Sequence, residues 1–176
     1  MGSGITFSGD SSTTKAFIEK VKKAIYNTRI KVVDSGAEAA QRGYDSSFHT
    51  GSMDITVVAE HGENESTVHG YGEQIIFTEF GTGVTWLEEH PNAAEYGYFR
   101  GEYGKGNGKN PKGWFFKGEP GNWASPAIKK NKDGSYTTID GVYFTKGQPA
   151  SKSMYYAFEE MEKFLPDIFE EEMRKI

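Results

Sequence analysis

Apolar positions recur at three- and four-residue steps through Phe17, Ile18, Val21, Ala24, Ile25, Thr28, Val32 and Ala39 or Ala40. This spacing predicts an amphipathic helix over about residues 12–43, capped by Ser12 or Thr13. At ~1.5 Å per residue it forms a rod of roughly 45 Å. The stretch Val32-Val33-Asp34-Ser35-Gly36 combines β-branched residues with a glycine, so a break or bend is expected there. Residues 1–11 are rich in Gly and Ser and predict a flexible arm.

Period-two alternation then takes over. Gly51-Ser52 predicts a turn, residues 53–60 a strand, "HGENES" a hairpin turn and residues 66–71 a second strand. Gly72 separates these from residues 73–80, which read as a third strand of an antiparallel meander. Residues 81–135 read as an extended loop or insertion: eight glycines from Gly97 to Gly121 are interleaved with aromatics, and "GWFF" marks an edge strand or hairpin. "SYTTIDGVYFTKG" predicts one or two strands around a turn at Asp140-Gly141. From about Ser151 the helical period returns, with Met154, Phe158, Met161, Leu165, Ile168 and Phe169 on one face. Pro166 falls inside that pattern and predicts a kink or restart. The fold class is α+β: a long N-terminal helix, a small mainly antiparallel sheet with a long insertion, and a C-terminal amphipathic helix packed on the sheet. The 176 residues fit a single domain without internal repeats.

Composition sharpens this picture. The chain is 36% hydrophobic with mean hydropathy −0.65, so its core is modest and its arms are polar. Cysteine is absent, which excludes disulfides and thiolate metal sites. The N-terminus lacks the basic and apolar regions of a signal peptide, and no apolar run approaches the ~20 residues that span a bilayer. The net charge of −5 is segregated. Residues 51–99 hold 9 acidic and no basic side chains, whereas residues 100–132 hold 8 basic and 2 acidic. Opposite blocks of this kind suit contacts between copies of one chain, and they also suit simple solubility.

Candidate chemistry is sparse. His49, His61, His69 and His90 show no metal-ligand spacing, although His61 and His69 could meet across the hairpin. "YGKGNGKNPKG" fails as a phosphate loop, because Asn110 follows Lys109 where Ser or Thr is needed. It reads as a flexible basic loop, whose neighbours Tyr103, Trp114, Phe115 and Phe116 would permit stacking on single-stranded nucleic acid or packing on a neighbouring chain. Glu73, Glu79, Glu88 and Glu89 are candidate paired carboxylates of a wall-degrading glycosidase, supported by spacing alone. No nucleophile motif is present, no cofactor is implied, and the chain reads as a non-enzyme.

Glu79 opens a second possibility. It precedes Phe80, Gly81, Thr82 and Gly83, a tight turn in which the glycines supply backbone freedom and Thr82 bonds nearby backbone. There the carboxylate accepts the turn's free amides or a basic group of a neighbouring subunit.

"YGEQIIFTEFGTG" resembles the aromatic-x-Glu-Phe-Gly-Thr-Gly strand-and-turn motif of the neck and tail-completion family of long-tailed bacteriophages. The likeness runs in order along nearly the whole chain: a long amphipathic helix, "GSMDITV", the glycine turn, the "GWFF" insertion, and "FTKGQPASKSMYYAFEEME" leading into the last helix. It departs at Ser151-Lys152-Ser153, where the family often carries Arg-Pro-Phe. The resemblance implies a structural virion protein that joins head to tail as a homo-oligomeric ring, a hexamer in the family, or a tail terminator capping the tube. Its implied partners are the tail tube, terminator and head-closure proteins. DNA would pass through the lumen without specific binding, with assembly in the host cytoplasm. The assembly surface then falls on the basic, aromatic insertion: Arg100, Tyr103, Lys105, Lys109, Lys112, Trp114, Phe115, Phe116 and Lys117. The alternative from another class is a peptidoglycan-binding or wall-degrading module.

Overall fold

A computed structural model describes residues 11–47, 55–83, 90–98, 113–118 and 123–176. The fold is α+β. Helix α1 (Ser11–Ser47) is followed by the antiparallel hairpin β1 (Thr56–His61) and β2 (Ser66–Tyr71), then by short helices α2 (Ile75–Phe80) and α3 (Ala93–Tyr96). Strands β3 (Trp114–Lys117), β4 (Ala124–Lys130) and β5 (Tyr136–Thr145) form a separate antiparallel sheet with β5 in the centre. Helix α4 (Ser153–Met173) ends the fold.

Helix α4 packs on α1 and not, as expected, on a sheet, and the two helices run antiparallel. Asn27 meets Glu172 at one end, Gly36 faces Met161 in the middle, and Gly43 faces Ser153 at the other end. Small side chains are buried along the two helices, Ala24, Thr28 and Ala40 of α1 and Ala157 of α4, and Val32 and Val33 share a groove with Met161 and Leu165. A side chain at Gly36 would collide with the Met161 thioether, so the expected weak point of α1 is where the Met161 side chain of α4 packs against it. The expected break is absent, and α1 is continuous through Gly36. Helix α4 likewise continues through Pro166, with no restart. The proline is exposed, where water can serve the carbonyl that it leaves unpaired.

The β1–β2 hairpin lies on α1. Gln41 of α1 acts as a surrogate strand edge, its Oε1 accepting the Val57 N–H at 2.8 Å and its Nε2 donating to the Ile55 carbonyl at 3.1 Å. Arg29 donates to the carbonyls of Gly62 and Glu63 in the hairpin turn.

Two expected elements are corrected. Residues 73–80 are not a third strand, because Ile75–Phe80 form α2. A short apolar run has no period long enough to separate helix from strand. The helical form buries Thr78 and Glu79 while leaving Ile76 and Phe77 exposed. Asp140-Gly141 is not a hairpin turn either, because both residues lie within β5. Pro126 pairs with Tyr143 and Ile128 with Thr138, so β5 carries extra residues at this point, and Gly141 has φ 64° there. The hairpin turn lies instead at residues 131–135, closed by Asn131 and Asp133. Within the stretch expected as an insertion, the described residues supply α3, β3 and β4.

Candidate functional site

Helix ends leave orphan backbone groups: amides at the start and carbonyls at the finish. Here two helix ends satisfy one another. The final carbonyls of α2 accept from residues just ahead of α4: Thr78 from the Ser151 amide at 2.8 Å and Glu79 from the Lys152 amide at 3.3 Å. Gln148 Nε2 donates to the Phe77 carbonyl at 3.2 Å. In return, the Glu79 side chain takes the first free amides of α4, with Met154 N–H on Oε2 at 3.1 Å and Tyr155 N–H on Oε1 at 3.2 Å. Lys152 occupies the cap position itself, with φ 58° and no capping side chain. A carboxylate from 73 residues upstream therefore does the work that Ser or Asp does at an ordinary helix start, and its charge complements the helix dipole.

The turn that follows is locked to the same segment. Thr82 and Gln148 exchange backbone hydrogen bonds at 2.9 and 3.2 Å, and the Thr82 hydroxyl accepts the Gln148 amide at 3.1 Å. Gly81 has φ 74°, and a Cβ there would lie 2.6 Å from the Ala150 nitrogen. Gly83, at φ 80°, passes directly against the backbone of Lys146. Both positions demand glycine on conformation and on space.

Three further donors complete the Glu79 shell. Tyr44, from the last turns of α1, donates to Oε2 at 2.9 Å. The Ser151 hydroxyl reaches Oε2 at 3.4 Å. His90 Nε2 donates to Oε1 at 2.9 Å, while its Nδ1 accepts the Asn92 amide at 3.1 Å, which fixes the proton on Nε2. Glu79 and His90 are both buried. Burial first, then the Glu79 charge and hydrogen bond, push the Tyr44 phenol far above its ordinary range and keep it a donor. With about four lone-pair positions and five donors around it, the carboxylate is saturated. Neither it nor His90 keeps a free position for proton transfer to a substrate. The amides that Glu79 receives belong to α4, whereas the sequence placed them in the glycine turn.

Above this cluster opens a cleft of about 560 Å³. Phe80 lines it, its ring tilted against two others with centroids 4.3 Å from His90 and 4.5 Å from Tyr98. Tyr96, Tyr155 and Phe158 extend the aromatic wall, and Glu95 lines the cleft with an exposed carboxylate.

Of the residues expected at an assembly surface, Trp114, Phe115, Phe116 and Lys117 form β3, with Phe115 and Lys117 exposed. Arg100, Tyr103, Lys105, Lys109 and Lys112 lie outside the described residues, as do His49, Glu88 and Glu89. Glu73 is exposed and lies outside the Glu79 cluster. His61 and His69 do not meet: His61 binds Asp34 and Ser66, and His69 binds Thr67. No group of metal-ligating residues occurs among the described residues, and no described helix is long and apolar enough to cross a membrane. Sequence reasoning missed Tyr44 and His90 as partners of Glu79. Tyr44 is buried one turn past Ala40, beyond the last position of the apolar spacing that marks α1 in the sequence, and nothing local marked His90. No family model, curated protein or solved structure matches the chain.

Proposed function

We propose that this chain is a non-enzymatic structural subunit that assembles into a ring at the neck, or at the head-proximal end of the tail, of a long-tailed bacteriophage. One observation carries the reading beyond the motif list. The Glu79–Gly83 turn and the stretch 146–155, two of the segments that resemble the neck and tail-completion family, interlock through Glu79, Thr82 and Gln148. A motif pair that meets in space is a better basis for the resemblance than the same motifs scattered. The saturated Glu79 supports a structural role for the motif over an acid–base one, and this disfavours the glycosidase alternative.

The sheet β3–β5–β4 supports assembly. Phe115, Ile128 and Tyr136 are each more than 60% exposed, an unusual state for large apolar side chains in a domain with so small a core. Light scattering after size exclusion, with and without purified tail tubes and heads, tests the reading. Ring-sized species, alone or on tubes, are expected. A chain that stays monomeric and ignores tubes and heads, with virions unaffected by its deletion, overturns it.

A further inference from the structure

The far end of the β4–β5 hairpin stands clear of the body, with residues 128–130 and 132–140 exposed. Strand pairing sets which side chains share a face. Ile128 lies opposite Thr138 and Lys130 opposite Tyr136, so Ile128, Lys130, Tyr136 and Thr138 stand on one side. The Lys130 ammonium sits 6.0 Å from the Tyr136 ring centre, which confirms that these two point the same way. This is a small apolar knob with a cationic edge: Lys129 and Lys132 lie beside it and outweigh Asp133 of the turn, so the tip is net positive.

The aromatic cleft has the opposite character. Its wall is Phe80, Tyr96, Tyr98 and Phe158, its exposed carboxylate is Glu95, and the whole segment 51–99 that supplies most of it carries no lysine or arginine. Its volume of about 560 Å³ falls in the range of clefts that enclose ligand-sized groups. With Glu95 as its exposed carboxylate and no lysine or arginine in its lining, the cleft disfavours nucleic acid or any other anion as occupant and favours a basic, aromatic one.

We propose that the hairpin of one copy seats Ile128 and Tyr136 in the aromatic cleft of a second copy, with Lys130 against Glu95. The inference rests on the self-assembly in the proposed function and gives it a surface. Knob and cleft are different patches of the same chain. The contact is therefore head-to-tail, and repetition closes a ring or extends a filament. Burying an aliphatic and an aromatic anchor in a pocket, with a charge pair at the rim, is the usual arrangement of an interface that carries its energy in few residues.

The absence of native cysteine makes the test clean. Thr138→Cys on the knob and Ile76→Cys on the cleft lining, two exposed positions that leave the anchors and the charge pair in place, are made in separate proteins and checked for unchanged helicity. Mixed one to one at millimolar concentration under mild oxidation, they are expected to give a disulfide dimer in at least roughly tenfold excess over either protein alone. Independently, Lys130→Glu and Glu95→Lys should each weaken self-association roughly tenfold, and the two combined in one chain should recover most of it. Failure of the mixed cross-link, equal cross-linking by Thr138→Cys alone, or indifference to both charge reversals overturns the proposal. Oligomers that form without the mixed cross-link would sink this interface and leave the ring reading standing. A mixed cross-link in a protein that never joins heads or tails would do the reverse.

Discussion

Replacing Glu79 by glutamine leaves the side chain's shape and changes its chemistry. One acceptor oxygen becomes an NH₂ donor among groups that are themselves donors: the Met154 and Tyr155 amides, His90 Nε2 and the Tyr44 hydroxyl. Glu79→Gln is therefore expected to destabilise the protein by about 3 kcal/mol, since the buried hub loses its charge and one acceptor, and one of the two capped amides of α4 faces a donor. Urea unfolding checks this, and no sugar release from peptidoglycan should accompany either form. Glu172 offers a pH test at the other end of α4. It is buried, and hydrogen bonds from Lys175, Lys31 and Asn27 hold its carboxyl down at about 2 from an ordinary 4.5. The folded state binds that proton less readily than the unfolded chain. The stabilisation is complete above pH 4.5 and is lost as pH falls towards 2. Acid titration of thermal stability should show this loss in the native protein and a flatter limb in Glu172→Gln. At this scale the sequence told little. Glu79 stood out because a charge lay between aromatics before a glycine turn, but its partners come from three distant segments, and distance in sequence hides them.

Elements were easier to read than their junctions. Helices α1 and α4 and the β1–β2 hairpin follow directly from apolar spacing, because each exceeds the length at which a period becomes visible. Helix α2 has six residues, and its helical state is fixed by tertiary bonds to 148–152 that no local pattern encodes. Gly36 misled for a related reason. Helix propensity marks it as a weak point, whereas packing makes it the place where Met161 fits. Gly36→Ala should cost about 1–3 kcal/mol despite alanine's better propensity, and Met161→Ala in the same chain should give part of it back, as read by denaturant midpoints. Little packing joins the strands of the second sheet to this body. Deleting residues 100–130 removes β3 and β4 and leaves β5 unpaired, but keeps α1, α4, the hairpin and the Glu79 lock. The deleted protein is expected to retain a single cooperative thermal transition and to lose assembly. Loss of cooperativity would show that the sheet is part of the core.

For the molecule as a whole, the charge blocks and the apolar sheet say more than the core does. The two-helix body carries a hairpin with exposed Ile128, Tyr136 and lysines, and an aromatic cleft lined by the exposed Glu95, which the proposed interface brings together. The opposed signs were visible in the sequence as runs. Their shapes, a knob and a cleft, were not, because strand register and the placement of α3 beside Phe80 decide them. A monomer with both surfaces open is an incomplete unit in this account. The most direct test of its central claim is cryo-electron microscopy of phage particles from cells that do and do not express the chain. Density for a closed ring of this fold at the head–tail junction is predicted, with heads and tails left unjoined, or tails of uncontrolled length, when it is missing. Intact, normally tailed particles in its absence, and no such ring in its presence, would contradict the account.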